Sequence, residues 1–276
     1  MPVSEETQAP PKAMTIAGSD SGGGAGIQAD LKTFAAFGVY GTSALTAVTA
    51  QNTRGVFAVA EVPEEVIALQ IDVVMEDIGA DAVKTGMLSS ASIVQTVADR
   101  LEAWGVDNLV VDPVMVAKGG QPLLEAAAQQ ALRLRLLPLA SVLTPNVPEA
   151  ETLTGRAITT DADMEGVART LLSLGPAAVL LKGGHRPGAR VRDLLVTRDS
   201  VDVFEAPRIE TAHTHGTGCT LASAVATGLA QGRPLKDAVA RAHAYVQAAI
   251  RAAPGFGHGK GPLGHGHTVR PFEKPW

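Results

Sequence analysis

Residues 14–26 read Met14-Thr15-Ile16-Ala17-Gly18-Ser19-Asp20-Ser21-Gly22-Gly23-Gly24-Ala25-Gly26, a short apolar run that breaks into a glycine-dense turn. Residues 25–37 follow with Ile27, Leu31, Phe34 and Ala35 on one helical face. The expected order is a strand over 14–18, a turn, then a helix. Such a turn lets a ligand approach the backbone closely, although glycines also make a merely pliant connection. No Gly-Lys-Ser/Thr follows, so it is not a Walker loop, nor is its spacing that of a dinucleotide fingerprint.

The same alternation continues outward. Strands are expected at 43–50, 82–85, 108–112, 141–143 and 177–181, and helices at 63–77, 90–103, 124–136, 149–153 and 161–174. A hairpin over 191–197 and 201–204 precedes two closing helices at 219–231 and 235–252. Strands alternating with helices imply crossover connections and a mostly parallel sheet, an α/β architecture. There is no internal repeat, and no linker interrupts 14–252. One domain is expected over 13–276, after a polar, disordered tail over 1–12. Ligands of such sheets sit beyond the carboxyl ends of the strands, so the strand-end loops carry the functional argument.

Composition narrows the class. The chain has 276 residues, 46% hydrophobic but only 4% aromatic, so Ala, Val, Leu and Ile must build the core. The net charge of −5, without a basic run, argues against a nucleic-acid or anionic-membrane partner. No apolar run approaches the roughly 18 residues that cross a membrane. A single cysteine, Cys219, excludes an internal disulfide and fits a reducing, cytoplasmic compartment.

The loops carry chemistry of several kinds. Gln51 and Asn52 end the second strand, and amides there suit a heterocycle's edge or simply cap the strand. Met87, in Lys84-Thr85-Gly86-Met87-Leu88, covers a flat ring or fills core. Asp112, in Asp112-Pro113-Val114-Met115, closes an apolar strand, as a magnesium ligand or a turn former does. Asn146 and Glu149 sit three apart at a helix start, where they can share an ion or form a capping box. Lys182, in Lys182-Gly183-Gly184-His185, is a phosphate partner or a surface lysine.

One loop stands apart: His213-Thr214-His215-Gly216-Thr217-Gly218-Cys219-Thr220. Its glycines, opening a helix, make backbone N–H groups converge on an anion. The thiol on the first helical turn is expected to be pushed toward thiolate by the helix dipole. The one literal G-x-G-x-x-G, over 259–264, has no strand before it and is read as chance. His258, His265 and His267 around it are read as a solvated tail rather than a metal site.

Together these stretches resemble the hydroxymethylpyrimidine/phosphomethylpyrimidine kinases of thiamine biosynthesis. The match runs through Ala17-Gly18-Ser19-Asp20, Gly23-Gly24-Ala25-Gly26-Ile27-Gln28-Ala29-Asp30, Ala50-Gln51-Asn52-Thr53-Arg54-Gly55-Val56, Lys84-Thr85-Gly86-Met87-Leu88, Leu143-Thr144-Pro145-Asn146, Lys182-Gly183-Gly184-His185 and Thr214-His215-Gly216-Thr217-Gly218-Cys219-Thr220-Leu221. It implies a ribokinase-like three-layer α/β/α sandwich with a mostly parallel central sheet. It implies ATP, Mg²⁺ and two successive phosphorylations of 4-amino-5-hydroxymethyl-2-methylpyrimidine. By the same resemblance Gln51 holds the pyrimidine, with Gly18, Asp30, Met87 and Val114 lining the pocket. Lys182, Thr144, Asn146, Thr217 and Gly218 belong to the nucleotide, and Asp112 and Glu149 to the metal. Cys219 takes the alcohol's proton, while the amides of 216–219 stabilise the transferring oxygens. A homodimer is implied as well.

Two positions bear on this resemblance. Sugar kinases of the superfamily carry Asp where Cys219 stands, so the chain follows the pyrimidine branch. Gly22 stands where the family has a hydroxyl-bearing residue, so no side-chain role is assigned there. The rival readings are a pyridoxal kinase and a non-catalytic pyrimidine-binding regulator.

Overall fold

The computed structural model describes residues 9–115 and 125–270. Strands β1 (Lys12–Asp20), β2 (Tyr40–Asn52), β3 (Gly55–Glu61), β4 (Ala82–Thr85), β5 (Leu109–Val111), β6 (Val142–Leu143), β7 (Ala178–Leu181), β8 (Arg190–Thr197) and β9 (Val201–Pro207) form one sheet. Their order is β3-β2-β1-β4-β5-β6-β7-β8-β9. The run from β2 to β7 is parallel, and β3, β8 and β9 are antiparallel additions at the edges. The helices are α1 (Gly26–Ala36), α2 (Glu64–Asp77), α3 (Ala91–Ala103), α4 (Ala126–Ala131), α5 (Val147–Thr154), α6 (Asp161–Leu172), α7 (Thr217–Ala230) and α8 (Leu235–Arg251).

The strands' two-residue period sorts the core into two layers. Met14, Ile16, Leu109, Val111, Val179 and Leu181 point to the side covered by α2, α3, α5 and α6. Ala13, Val110, Val142 and Leu180 point to the side covered by α1, α7 and α8. The result is the expected three-layer α/β/α sandwich. The chain leaves β1 toward β2 on one side and later places β4 on the other, so the strand order reverses at β1. A crevice opens at such a switch point, beyond the carboxyl ends.

The differences from the sequence expectation are local. β1 begins at Lys12, so the expected tail ends earlier; its residues 1–8 lie outside the described residues, as do residue 124 of one expected helix and residues 271–276. β3 was not expected. It is a two-sided, mostly exposed edge strand joined to β2 by a tight turn in which Arg54 N–H donates to Asn52 Oδ1 at 2.8 Å. The helix expected over 124–136 is a short α-helix that widens into a π-turn (Leu132–Leu136) and ends in a 3₁₀ turn at Leu137–Leu139.

The carboxyl-terminal segment differs most. It folds back onto the sheet edge and buries His265, while His258 and His267 stay exposed as expected. Lys260 N–H donates to Thr53 O at 2.8 Å, His215 N–H donates to Gly261 O at 3.0 Å, and Leu263 and His265 are buried. His265 Nε2 lies 2.9 Å from Thr220 Oγ1, and Tyr245 donates its hydroxyl to the His265 carbonyl at 2.7 Å. Burial pushes the His265 pKa down to about 4, helped by the nearby Lys32 charge.

Candidate active site

A cavity of about 780 Å³ opens along the carboxyl ends of the strands. Gly18, Gln51, Met87 and Val114 line one end. Asn146, Glu149, Lys182, His243 and Gln247 line the other, and Gly216, Thr217, Gly218 and Cys219 lie between.

Two glycine loops far apart in sequence interlock at its centre. Gly26, at φ +54°, opens α1; a side chain there would meet Gly18 O at 2.4 Å. Gly216, at φ +80°, precedes α7, and a Cβ on it would fall 1.8 Å from Gly24 O. Only glycine tolerates this left-handed backbone at such an approach. Gly26 N–H also bonds the Cys219 thiol. No side chain caps α7, so its first-turn N–H groups face the cavity as anion donors. The Thr217 hydroxyl and backbone N–H both donate to Thr214 O, at 2.8 and 3.4 Å, so the loop's anion donors are the N–H groups that follow it.

The other end concentrates charge. Lys182 Nζ lies 2.9 Å from Asp112 Oδ1. Both groups approach the loop: a Cβ on Gly218 would sit 3.2 Å from Lys182 Nζ and 3.7 Å from Asp112 Oδ2. Burial works against the Lys182 ammonium, but Asp112 and Glu149 offset it and raise its pKa. Asn146 and Glu149 do form a capping box, with Glu149 Oε2 accepting from Asn146 N–H at 2.8 Å and Asn146 Oδ1 accepting from Glu149 N–H at 3.0 Å. The cap also aims Glu149 into the site. There burial pushes its pKa up to about 7 against the pull of Lys182, with Asp112 adding to the rise.

Three expectations are corrected. Asp30 does not line the cavity: it is fully buried, accepting from Lys84 Nζ at 2.9 Å and from the Thr15 and Ser223 hydroxyls at 2.6 Å each. Lys84 takes its place in the cavity floor. Thr144 is likewise buried behind the wall and donates to Asp112 Oδ1 at 3.1 Å. The Cys219 thiol is not pulled toward thiolate. Burial pushes its pKa up to about 11; Lys84 opposes this, while the Asp30 and Asp112 carboxylates add to it. The helix end is too weak to reverse that balance.

Sequence reasoning passed over Lys84, Asp20 and His215, all of which line the cavity. A lysine inside an otherwise apolar strand was the available signal for Lys84. Asp20 and His215 sat within stretches read only for their glycines and cysteine.

The cavity suits the groups a kinase handles. The backbone donors of the loop and Lys182 suit phosphate. His243 Nε2 and Gln247 Oε1 are buried on the cavity wall without a hydrogen-bond partner, a donor and acceptor set suited to a nucleobase. Among the described residues no cluster of three or more His, Cys, Asp or Glu could hold a metal. Asp112 and Glu149 make a two-carboxylate set, as suits Mg²⁺, which takes its other ligands from phosphates and water.

Comparison with known proteins agrees with this geometry. The family model described as phosphomethylpyrimidine kinase matches residues 20–264. The chain is 53% identical to the hydroxymethylpyrimidine/phosphomethylpyrimidine kinase of Rhizobium meliloti, covering 92% of this chain and 97% of that protein. It is equally similar, at 53%, to the thiamine biosynthesis bifunctional protein ThiED of Geobacter sulfurreducens, of which it spans about half, 51%. The solved phosphomethylpyrimidine kinase of Clostridium difficile superposes with a TM-score of 0.78 at 46% identity, covering 87% of this chain and 99% of that one. A Staphylococcus aureus pyridoxal kinase solved with AMP-PCP and pyridoxal superposes at 0.86 but is 35% identical, covering 94% of each chain. Ribokinase-like architecture is common to both solved enzymes, yet sequence identity is higher on one side, and the chain belongs to the phosphomethylpyrimidine kinase family.

Proposed function

We propose that this protein transfers the γ-phosphoryl group of ATP to the hydroxymethyl oxygen of 4-amino-5-hydroxymethyl-2-methylpyrimidine, and a second one to the resulting monophosphate. One observation carries the reading. A single cavity joins a flat, amide-edged end at Gln51, Met87 and Val114 to a phosphate-handling end at Lys182, Asp112 and Glu149, with the Gly216 loop at the junction.

Phosphoryl transfer through a loose transition state needs position and positive potential more than covalent help. Lys182 and the N–H groups of Gly218 and Cys219 supply that potential where charge builds on the transferring oxygens. Asp112 and Glu149 would hold Mg²⁺, which shields phosphate charge when bound. Cys219 faces the junction of the two ends and contacts the attacking hydroxyl. Its raised pKa makes it a protonated thiol at neutral pH, so its role is contact and alignment, and the alcohol's proton passes to an oxygen of the transferring phosphoryl group as the new O–P bond forms and the bond to ADP breaks.

The domain assignment, one kinase domain over 13–276, belongs to the same proposal, as does a cytoplasmic setting. So does a homodimer. Phe57 and Val59 on β3, with Val66, Leu69 and Val73 on α2, leave an exposed apolar face that a second copy would cover. No helix of the described residues is long and apolar enough to cross a membrane.

Phosphorus NMR of the pyrimidine alcohol with ATP and Mg²⁺ tests the reading. Successive monophosphate and diphosphate resonances are expected. A strong kinetic preference for pyridoxal would support the rival kinase, and no ADP with either alcohol would support a binding protein.

A further inference from the structure

What Gln51 recognises depends on which of its amide atoms meets the ligand, and its neighbours decide that. Asp20 Oδ1 accepts from Gly22 N–H at 2.8 Å. Its Oδ2 accepts from Gly24 N–H at 3.0 Å and Ala25 N–H at 2.8 Å, and lies 2.9 Å from His215 Nε2. An oxygen crowded by two N–H groups leaves no room for a proton of its own, so His215 Nε2 must carry the hydrogen and donate it. The Gln51 side-chain nitrogen also lies 2.9 Å from His215 Nε2. Two N–H groups cannot bond each other. Carboxamide oxygen and nitrogen have the same shape, and the network assigns them. Gln51 must therefore turn its oxygen to the imidazole, where it shares the single Nε2 hydrogen with Asp20 Oδ2 in a three-centre bond.

The far side of the amide agrees. Thr49 Oγ1 gives its only hydrogen to Ser19 O at 2.8 Å and sits 3.5 Å from the other Gln51 amide atom. A hydroxyl that has spent its hydrogen can only accept, so the atom facing it is the NH₂. The Gln51 backbone is pinned as well: its N–H donates to Ser21 Oγ, and Ser21 Oγ donates to Gln51 O, each at 2.8 Å.

We propose that Asp20 and His215 are positioning residues that lock the Gln51 carboxamide so that an N–H, not the carbonyl, is presented to the ring. The cavity then selects a heterocycle that offers an unprotonated ring nitrogen at that edge. This rests on the pyrimidine-kinase reading for its ligand, but not for its hydrogen-bond order.

Nitrogen-15 NMR of the substrate-free protein tests the order directly, with His215 assigned by comparison with His215→Gln. A ring protonated on Nε2 at pH 7.5 is expected; a ring protonated on Nδ1 alone overturns the proposal. Kinetics test the consequence. In His215→Leu the KM for the pyrimidine alcohol rises about tenfold, the loss of roughly one hydrogen bond, while the KM for ATP stays within about twofold. His215→Gln, whose amide N–H can stand in for Nε2–H, recovers most of that loss. Gln51→Glu keeps an acceptor for His215 but has no N–H, and loses the alcohol at least as severely. Equal rises in both KM values, or no rescue by glutamine, refute the positioning role. If the wild-type protein leaves the pyrimidine alcohol unphosphorylated, the functional reading fails while the NMR result still decides the network.

Discussion

Replacing Asp30 by asparagine separates a structural carboxylate from a ligand. In the fold, Asp30 accepts from Lys84 Nζ at 2.9 and 3.1 Å and from two hydroxyls at 2.6 Å, with both members of the ion pair fully buried. Burial alone would depress the Lys84 pKa; the Asp30 carboxylate, with Asp112, reverses this and raises it. Asparagine leaves that ammonium buried beside a neutral amide. Breaking a buried pair on one side costs about 3–5 kcal/mol. At about 2–4 °C per kcal/mol for a chain of this size, calorimetry at pH 7.5 should show Tm lower by roughly 6–20 °C. The variant that remains folded should keep its KM for the pyrimidine alcohol. The paired change Asp30→Leu with Lys84→Met removes both charges and should restore most of the lost stability, because filling the site with apolar groups is near neutral or better. An Asp30→Asn protein that melts with the wild type but shows a raised KM would refute this reasoning and return Asp30 to the substrate.

Gly216→Ala should lower kcat/KM by at least about 10²-fold, since the loop must move away from Gly24 O and misaligned transfer is slow. Gly232→Ala is its control, equally left-handed at φ +69° but with open space around it, and should leave kinetics unchanged; equal behaviour of the two contradicts the interlock. Cys219 is the sole cysteine, so iodoacetamide alkylation reports its ionisation, and the rate should climb with pH without a plateau below about pH 9. A plateau near pH 7 would make it a thiolate and restore a base. His265 has a folded pKa of about 4, below its unfolded value near 6.5, so its contribution is complete above pH 6.5 and is lost as pH falls toward 4. By pH 5 wild type should lose about 2 kcal/mol more than His265→Gln in urea unfolding, and matching losses would show that the residue is not held neutral.

Where local pattern and tertiary role coincide, the sequence was legible. β4 falls on residues 82–85 as expected, and the β8–β9 hairpin follows the alternation around its turn. β3 was invisible because an edge strand exposed on both faces has no burial pattern to display. The π-turn at Leu132–Leu136 is a packing outcome that apolar spacing of a regular helix does not encode. Gln51, Met87, Val114, Asn146, Glu149, Asp112, Lys182 and the 216–219 loop line the cavity, as expected of strand ends and glycine turns on one edge of a parallel sheet. Asp30 and Thr144 were assigned to the ligand because a sequence cannot say whether a polar side chain stands in a wall or behind it. His265 read as solvent-facing because its partners, Thr220 and Tyr245, lie 45 and 20 residues away, whereas His258 and His267 are exposed as expected.

The tail that joins Thr53 to the Gly216 loop has a consequence for how the protein is made. A chain leaving the ribosome carries β1, its glycine turn and Gln51 early, yet the segment that holds the turn after β2 against the loop is among the last to emerge. Until residues 260–265 are free, the two glycine loops lack the segment that bonds Thr53 on one side and His215 on the other. A chain that ends after α8 but before this segment therefore has every strand of the sheet and both glycine loops, yet lacks the contacts that tie the turn after β2 to the Gly216 loop at the cavity.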